Sequence, residues 1–210
     1  KLFLKIRLKM RKLALLFLVC SFFTACKTKQ VTNGGNFVES IVNPYFSNVE
    51  VDYIYQAKIK AFSKDFSGIF IVKKISSNAH RVVLTSDFGN TLVDLTLSEN
   101  DYKVNYILDD LNKKILIKTL VNDFRILLQT EIVAFSKEKI EGQLVYSSGS
   151  PSKILKYSYN FINKSLSSIS LYKKSKEIVI FDFSEVHENI CLNITIEHKN
   201  WPITIQLTKQ

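Results

Sequence analysis

The stretch NKKILIKTLVNDFRILLQ, Asn112 to Gln129, breaks the rhythm of everything around it. Its apolar residues fall at Leu116, Ile117, Leu120, Val121, Phe124, Leu127 and Leu128, three or four positions apart. Lys114, Lys118, Asn122 and Arg125 fall opposite them. That is one apolar stripe at helical period, and it predicts a single amphipathic helix over 112–129. Asp109 or Asp110 is expected to cap its start, where a carboxylate also meets the positive end of the helix dipole.

Outward from this helix, in both directions, the period is two. Before it, Val51, Tyr53, Tyr55, Ala57 and Ile59 alternate with polar residues, which predicts a strand. Further strands are expected at 66–75, 81–86, 91–99 and 101–108. Asp87-Phe88-Gly89-Asn90 forms a tight turn, in which Gly89 and Asn90 suit positive φ. In the last of these strands Tyr102, Val104, Tyr106 and Leu108 are placed on one face. After the helix, strands are expected at 131–136, 140–147, 154–162, 166–173, 177–184, 190–198 and 203–208, with short polar gaps that indicate antiparallel pairing. Phe37–Ile41 reads as a short helix ending before Pro44. The fold expected is mainly β with α: an open half-barrel, made of one long curved antiparallel sheet covered by the amphipathic helix.

The N-terminus carries a different message. Met10-Arg11-Lys12 is a short basic head, Leu13 to Phe23 an apolar run, and Thr24-Ala25 a pair of small residues before Cys26. This is the layout of a secretory signal peptide. Phe23-Thr24-Ala25-Cys26 resembles the lipobox of bacterial lipoproteins, with Phe23 where that family prefers leucine. The resemblance implies cleavage before Cys26 and acylation of its thiol. Residues 1–25 are accordingly read as signal peptide, with 1–9 as an extension upstream of Met10. Residues 26–36, ending in Gly34-Gly35, are a lipidated tether, and 37–210 one domain. An uncut N-terminal anchor is the other reading of this segment.

Composition narrows the function further. The net charge of +10 falls to +4 without the six basic residues of 1–25, which hold no acid (10 − 6). A mildly basic remainder is an ordinary solvated surface, and an exported chain has little access to nucleic acid. Past Cys26 only Cys191 remains, so no internal disulfide is possible, and Cys191 is read as a small buried hydrophobe. His80, His187 and His198 are dispersed and expected at strand ends on the surface. No nucleophile elbow, zinc helix or catalytic carboxylate pair is present, so no enzyme activity, metal or cofactor is expected.

The order Gln56–Ala61, Phe66–Val72, His80–Thr85 and Ser86–Thr91, leading into Leu92–Leu95, resembles the LolA/LolB-like superfamily, in particular its LolB-like outer-membrane lipoprotein receptors. The resemblance covers about two-fifths of the chain and implies a half-open β-barrel whose concave apolar face holds lipoprotein acyl chains. It also implies a periplasm-facing, lipid-anchored place at the outer membrane, a periplasmic lipoprotein carrier as possible partner, and a monomer. Phe88 and Gly89 occupy the place of that family's exposed insertion tip, with Asp87 where proline is frequent. The lipid cavity would be lined by Phe70, Val72, Val93, Leu95, Leu97, Val104 and Tyr106, with Leu120 and Phe124 from the helix. Alternation identifies a buried face and does not reveal a gap within it, so these residues read equally as a filled core. Phe88 likewise reads as an exposed tip or as a ring folded back on its strands. The alternative function is a scaffold lipoprotein that docks a protein partner and has no lipid cavity.

Overall fold

A computed structural model describes residues 37–210; the signal peptide, Cys26 and the glycine tether lie outside the described residues. Thirteen strands follow in order: β1 (Glu39–Val42), β2 (Asp52–Ala61), β3 (Lys64–Ser76), β4 (Ala79–Thr85), β5 (Thr91–Ser98) and β6 (Tyr102–Ile107). A 3₁₀ turn, Asp109–Leu111, leads to the helix α1 (Lys114–Leu128). Then come β7 (Glu131–Ile140), β8 (Gln143–Ser150), β9 (Lys153–Asn160), β10 (Leu166–Lys173), β11 (Lys176–His187), β12 (Ile190–His198) and β13 (Ile203–Lys209).

All thirteen form one sheet in the order β1-β7-β8-β9-β10-β11-β12-β13-β2-β3-β4-β5-β6. Every neighbouring pair is antiparallel. β1 and β6 are the two edges and do not pair with each other, so the sheet remains open.

Residues directly opposite across strands share a face, and the register traces one apolar row over most of the sheet. It runs Tyr146–Tyr157–Ile169–Phe181–Ile196–Ile205–Ile59. A parallel row runs Tyr55–Phe70–Leu84–Val93. Both belong to one continuous core that also contains Leu120, Val121, Phe124, Leu127 and Leu128 of α1. The sheet therefore curls around the helix. Burial along α1 confirms this: up to Thr119 it is exposed or half-buried, whereas from Leu120 only Asn122 is exposed.

A second cover crosses the concave side between β1 and β2. Asn43 donates from Nδ2 to the Leu127 carbonyl at 2.9 Å and from its backbone N–H to Thr130 O at 2.9 Å. The Tyr45 ring packs 5.0 Å from that of Phe183, and its hydroxyl donates to the Leu166 carbonyl. Phe46 stacks 5.1 Å from Tyr53, and its carbonyl oxygen lies 3.1 Å from His80 Nε2, which donates to it. Tyr45 and Phe46 are fully buried.

Four expectations need correction. Residues 39–42 are a strand, because β1 gains backbone partners on β7 (Glu39 opposite Ala134, Val42 opposite Glu131) that a local reading does not include. The residue before α1 is Lys113, with no side-chain cap; Asp109 and Asp110 belong to the separate 3₁₀ turn. His80 and His198 are buried, and only His187 is an exposed strand end. Finally, a bulge at Asn105 shifts the β5–β6 register. Val104 faces Leu95 on the concave side, whereas Tyr106 faces Asp94 on the convex side. One inserted residue reverses every later side chain in a strand.

Candidate functional site

The turn between β4 and β5 is bonded from within and from below. The Ser86 N–H donates to Asn90 O at 2.8 Å, the Gly89 N–H to Ser86 O at 2.9 Å, and the Asn90 N–H to Ser86 Oγ at 3.2 Å. Gly89 has φ +82°, a conformation that glycine adopts without steric cost. Asp87 points down to the convex side of the neighbouring strands, accepting from Gln56 Nε2 of β2 at 3.2 Å and from the Ser67 hydroxyl of β3. With Asp87 tied inward, the next side chain is carried outward: Phe88 is 93% exposed. The turn thus presents a large apolar ring to solvent.

Gly68 of β3 makes this geometry possible. A Cβ at Gly68 would overlap the carbonyl oxygen of Thr85, so the end of β4 passes directly over the glycine into the turn. Beneath Phe88 lies an open groove of about 710 Å³, lined by Ser86, Phe88, Asn90, Thr91, Leu92, Asp94, Tyr106 and Leu108. It is on the convex face, because Asp94 and Tyr106 pair there. Its only ionisable carboxylate is neutralised. Arg81 donates to Asp94 through Nε at 3.1 Å and Nη2 at 2.6 Å, and Asn105 Nδ2 adds a bond of 3.0 Å. The Arg81 hydrogen bonds hold the Asp94 carboxyl below its ordinary pKa, against the opposing effect of burial. The same bonds clamp β4, β5 and the bulge of β6 together.

The expected lining residues divide into three groups. Phe70, Val72, Val93, Leu95, Leu97, Leu120 and Phe124 are all buried on the concave side, with Phe70 and Phe124 rings 5.2 Å apart. Val104 is half-buried at the margin of the same core. Tyr106 is 47% exposed and lines the convex groove instead. The helix thus rests on β3–β5 with its apolar stripe buried from Leu120 onward and half-buried at Leu116 and Ile117.

Polar groups inside the curl were not anticipated from the sequence. Asp123 of α1 and His198 Nε2 of β12 are 2.8 Å apart, with both side chains about 5% exposed or less. Burial raises the Asp123 carboxyl above its ordinary pKa, and the His198 hydrogen bond opposes this. Tyr157 Oη and Arg125 Nη2 are buried polar atoms without a hydrogen-bond partner among the described residues. The polar signal at Asp123 was visible only as one acid beside an apolar stripe, and its partner lies 75 residues away. Among the described residues no three His, Cys, Asp or Glu side chains come together as metal ligands, and no helix is long and apolar enough to cross a membrane.

No protein-family profile matches this chain, and no curated protein sequence does. Among solved structures the chain is similar to a LolA superfamily protein from Nitrosomonas europaea, with a TM-score of 0.47 and 9% identity over 80% of this chain and 88% of that one. A DUF1329 family protein from Desulfovibrio piger gives a TM-score of 0.45 and 10% identity over 76% of this chain and 83% of that one. A domain from Vibrio parahaemolyticus named for outer membrane lipoprotein sorting gives 0.45 and 6% over the same shares.

Proposed function

We propose that this protein is a non-enzymatic, lipid-anchored envelope protein that handles acyl chains, receiving lipoproteins at the outer membrane and passing their tails into the bilayer. The observation that carries this reading is Phe88: 93% exposed, on a turn whose own hydrogen bonds and Asp87 contacts aim it away from the sheet. Entry of such a ring into lipid gains about 1.5–3 kcal/mol, enough to orient a domain already held by Cys26. The groove below it offers Leu92, Leu108 and Tyr106 to a first stretch of acyl chain, which gains about 0.8 kcal/mol per CH₂ removed from water.

The concave side is filled as it stands, so a longer chain enters only when α1 parts from β3–β5. The exposed start of α1, with Ile115 61% exposed, is the end from which such a movement begins. Phe88→Glu should abolish transfer of a purified lipoprotein into liposomes and leave the circular-dichroism melt unchanged. A lowered melt with normal transfer would assign Phe88 to packing and end this reading.

The filled core supports a second reading, a scaffold that docks a protein partner and holds no lipid. Lipid extraction and native mass spectrometry of protein purified without detergent separate the two. Co-purifying acyl ligand favours the handler; an empty protein bound to a stoichiometric partner favours the scaffold.

A further inference from the structure

At the end of the sheet where β6 hands over to α1, three turns that are neighbours in the sheet form a ridge: Lys174-Ser175, Lys199–Pro202 and Phe62-Ser63. Ile203 opposite Ala61 sets the second beside the third, and the Phe62 N–H donates to Pro202 O at 2.9 Å. Val179 opposite His198 brings Lys176 level with Trp201. Phe62 and Trp201 touch edge to face, ring centroids 5.9 Å apart, yet remain 61% and 41% exposed.

Two features of this ridge are unexplained by folding. Phe62 has φ +58°, a backbone region where a bulky residue is an outlier and glycine is at home. Its ring is mostly in water, so core packing does not account for the phenylalanine. The ridge is also more basic than acidic. Lys60, Lys64, Lys174 and Lys176 lie in or beside these three turns and are exposed, against Asp65 and Glu177 as the acids next to them.

We propose that this ridge is a docking edge for an anionic phospholipid bilayer, with Phe62 and Trp201 at headgroup depth and the lysines against lipid phosphates. Trp201, with its polar ring N–H, is suited to the membrane interface, the apolar Phe62 ring gains by entering lipid beside it, and lysines near an anionic leaflet add attraction that salt screens. This surface is separate from Phe88 and requires no acyl cargo.

Trp201 is the sole tryptophan of the chain and so reports on the ridge directly. The full chain is mixed with vesicles containing brominated phosphatidylglycerol, and Trp201 emission is followed. Docking predicts a blue shift and loss of most of the emission, both reversed by high salt and by Lys174→Glu with Lys176→Glu. Phe62→Gly should weaken quenching several-fold while keeping or raising the melting temperature, since glycine relieves the positive φ. Phe88→Glu should leave quenching intact, so failure of acyl transfer and failure of docking are told apart. Unquenched Trp201, equal quenching by zwitterionic brominated phosphatidylcholine at high salt, or a dimer that buries Trp201 in place of lipid would overturn the proposal.

Discussion

Asp123 on α1 and His198 on β12 meet at 2.8 Å inside the curl of the sheet, among the described residues the one ion-pairing contact between the helix and the strands it covers. Because both side chains are buried, neither can turn to water if the other is removed. Asp123→Ala should therefore cost about 3 kcal/mol in urea denaturation, chiefly the expense of a stranded imidazole. Asp123→Asn, which can still hydrogen-bond, should lose clearly less. Equal losses for the two variants would show that the contact is not what holds this part of the helix.

His80 gives the fold a predictable response to acid. Burial lowers its pKa from 6.5, the Phe46 carbonyl opposes this, and Lys74 across the strand pair adds to the lowering. As pH falls below 6.5 the unfolded chain takes up a proton that the native ring resists, so stability is lost until the native ring also titrates. Melting temperature should fall on acidification in that window, and His80→Gln, which can still donate to Phe46 O, should flatten the dependence. Asp123 acts with the opposite sign. Its raised value makes the native state the better proton binder, so between 3.8 and that value acid stabilises.

Two glycines near the proposed site should behave differently. Gly68→Ala drives a methyl into the Thr85 carbonyl and must move backbone, a cost of about 1–3 kcal/mol together with displacement of the Phe88 turn. Gly89→Ala meets nothing in space and carries only the left-handed backbone penalty of about 1–2 kcal/mol. Melting curves and the accessibility of residue 88 to a surface label distinguish them: the label should respond to the first variant and not to the second.

Cys191 is fully buried between β11 and β13, and burial pushes its thiol up to about 11. The thiolate is the reactive form, so maleimide should modify Cys191 only in denaturant. Rapid labelling of the native protein, mapped by mass spectrometry, would mean that β12 opens locally.

The strands and the helix were legible because their signal is local. Alternation places β10 and β12 at their observed bounds, and the apolar stripe places α1 within two residues at its start and one at its end. What escaped depends on partners far away in sequence. β1 exists because β7 accepts it, Asp123 and His198 are tolerated inside because they find each other, and Tyr106 changes face because Asn105 bulges out of register, its amide donating to Asp94 and Thr96. Within the candidate site, the sequence located Phe88 at a turn without settling its direction. That direction is set by Gln56 of β2 and Ser67 of β3, and by the absence of a side chain at Gly68.

The position of β13 has a consequence for how the chain is assembled. It stitches the strands made before the helix to those made after it, pairing Lys209 with Tyr55 and Ile203 with Ala61. Until β13 is in place, β2–β6 and β7–β12 are two panels with a greasy side each and no shared strand pairing. Closing the sheet therefore waits on a strand that follows both of the panels it joins, a pairing of long sequence separation, and removing β13 would cost the fold its joint rather than an ornament.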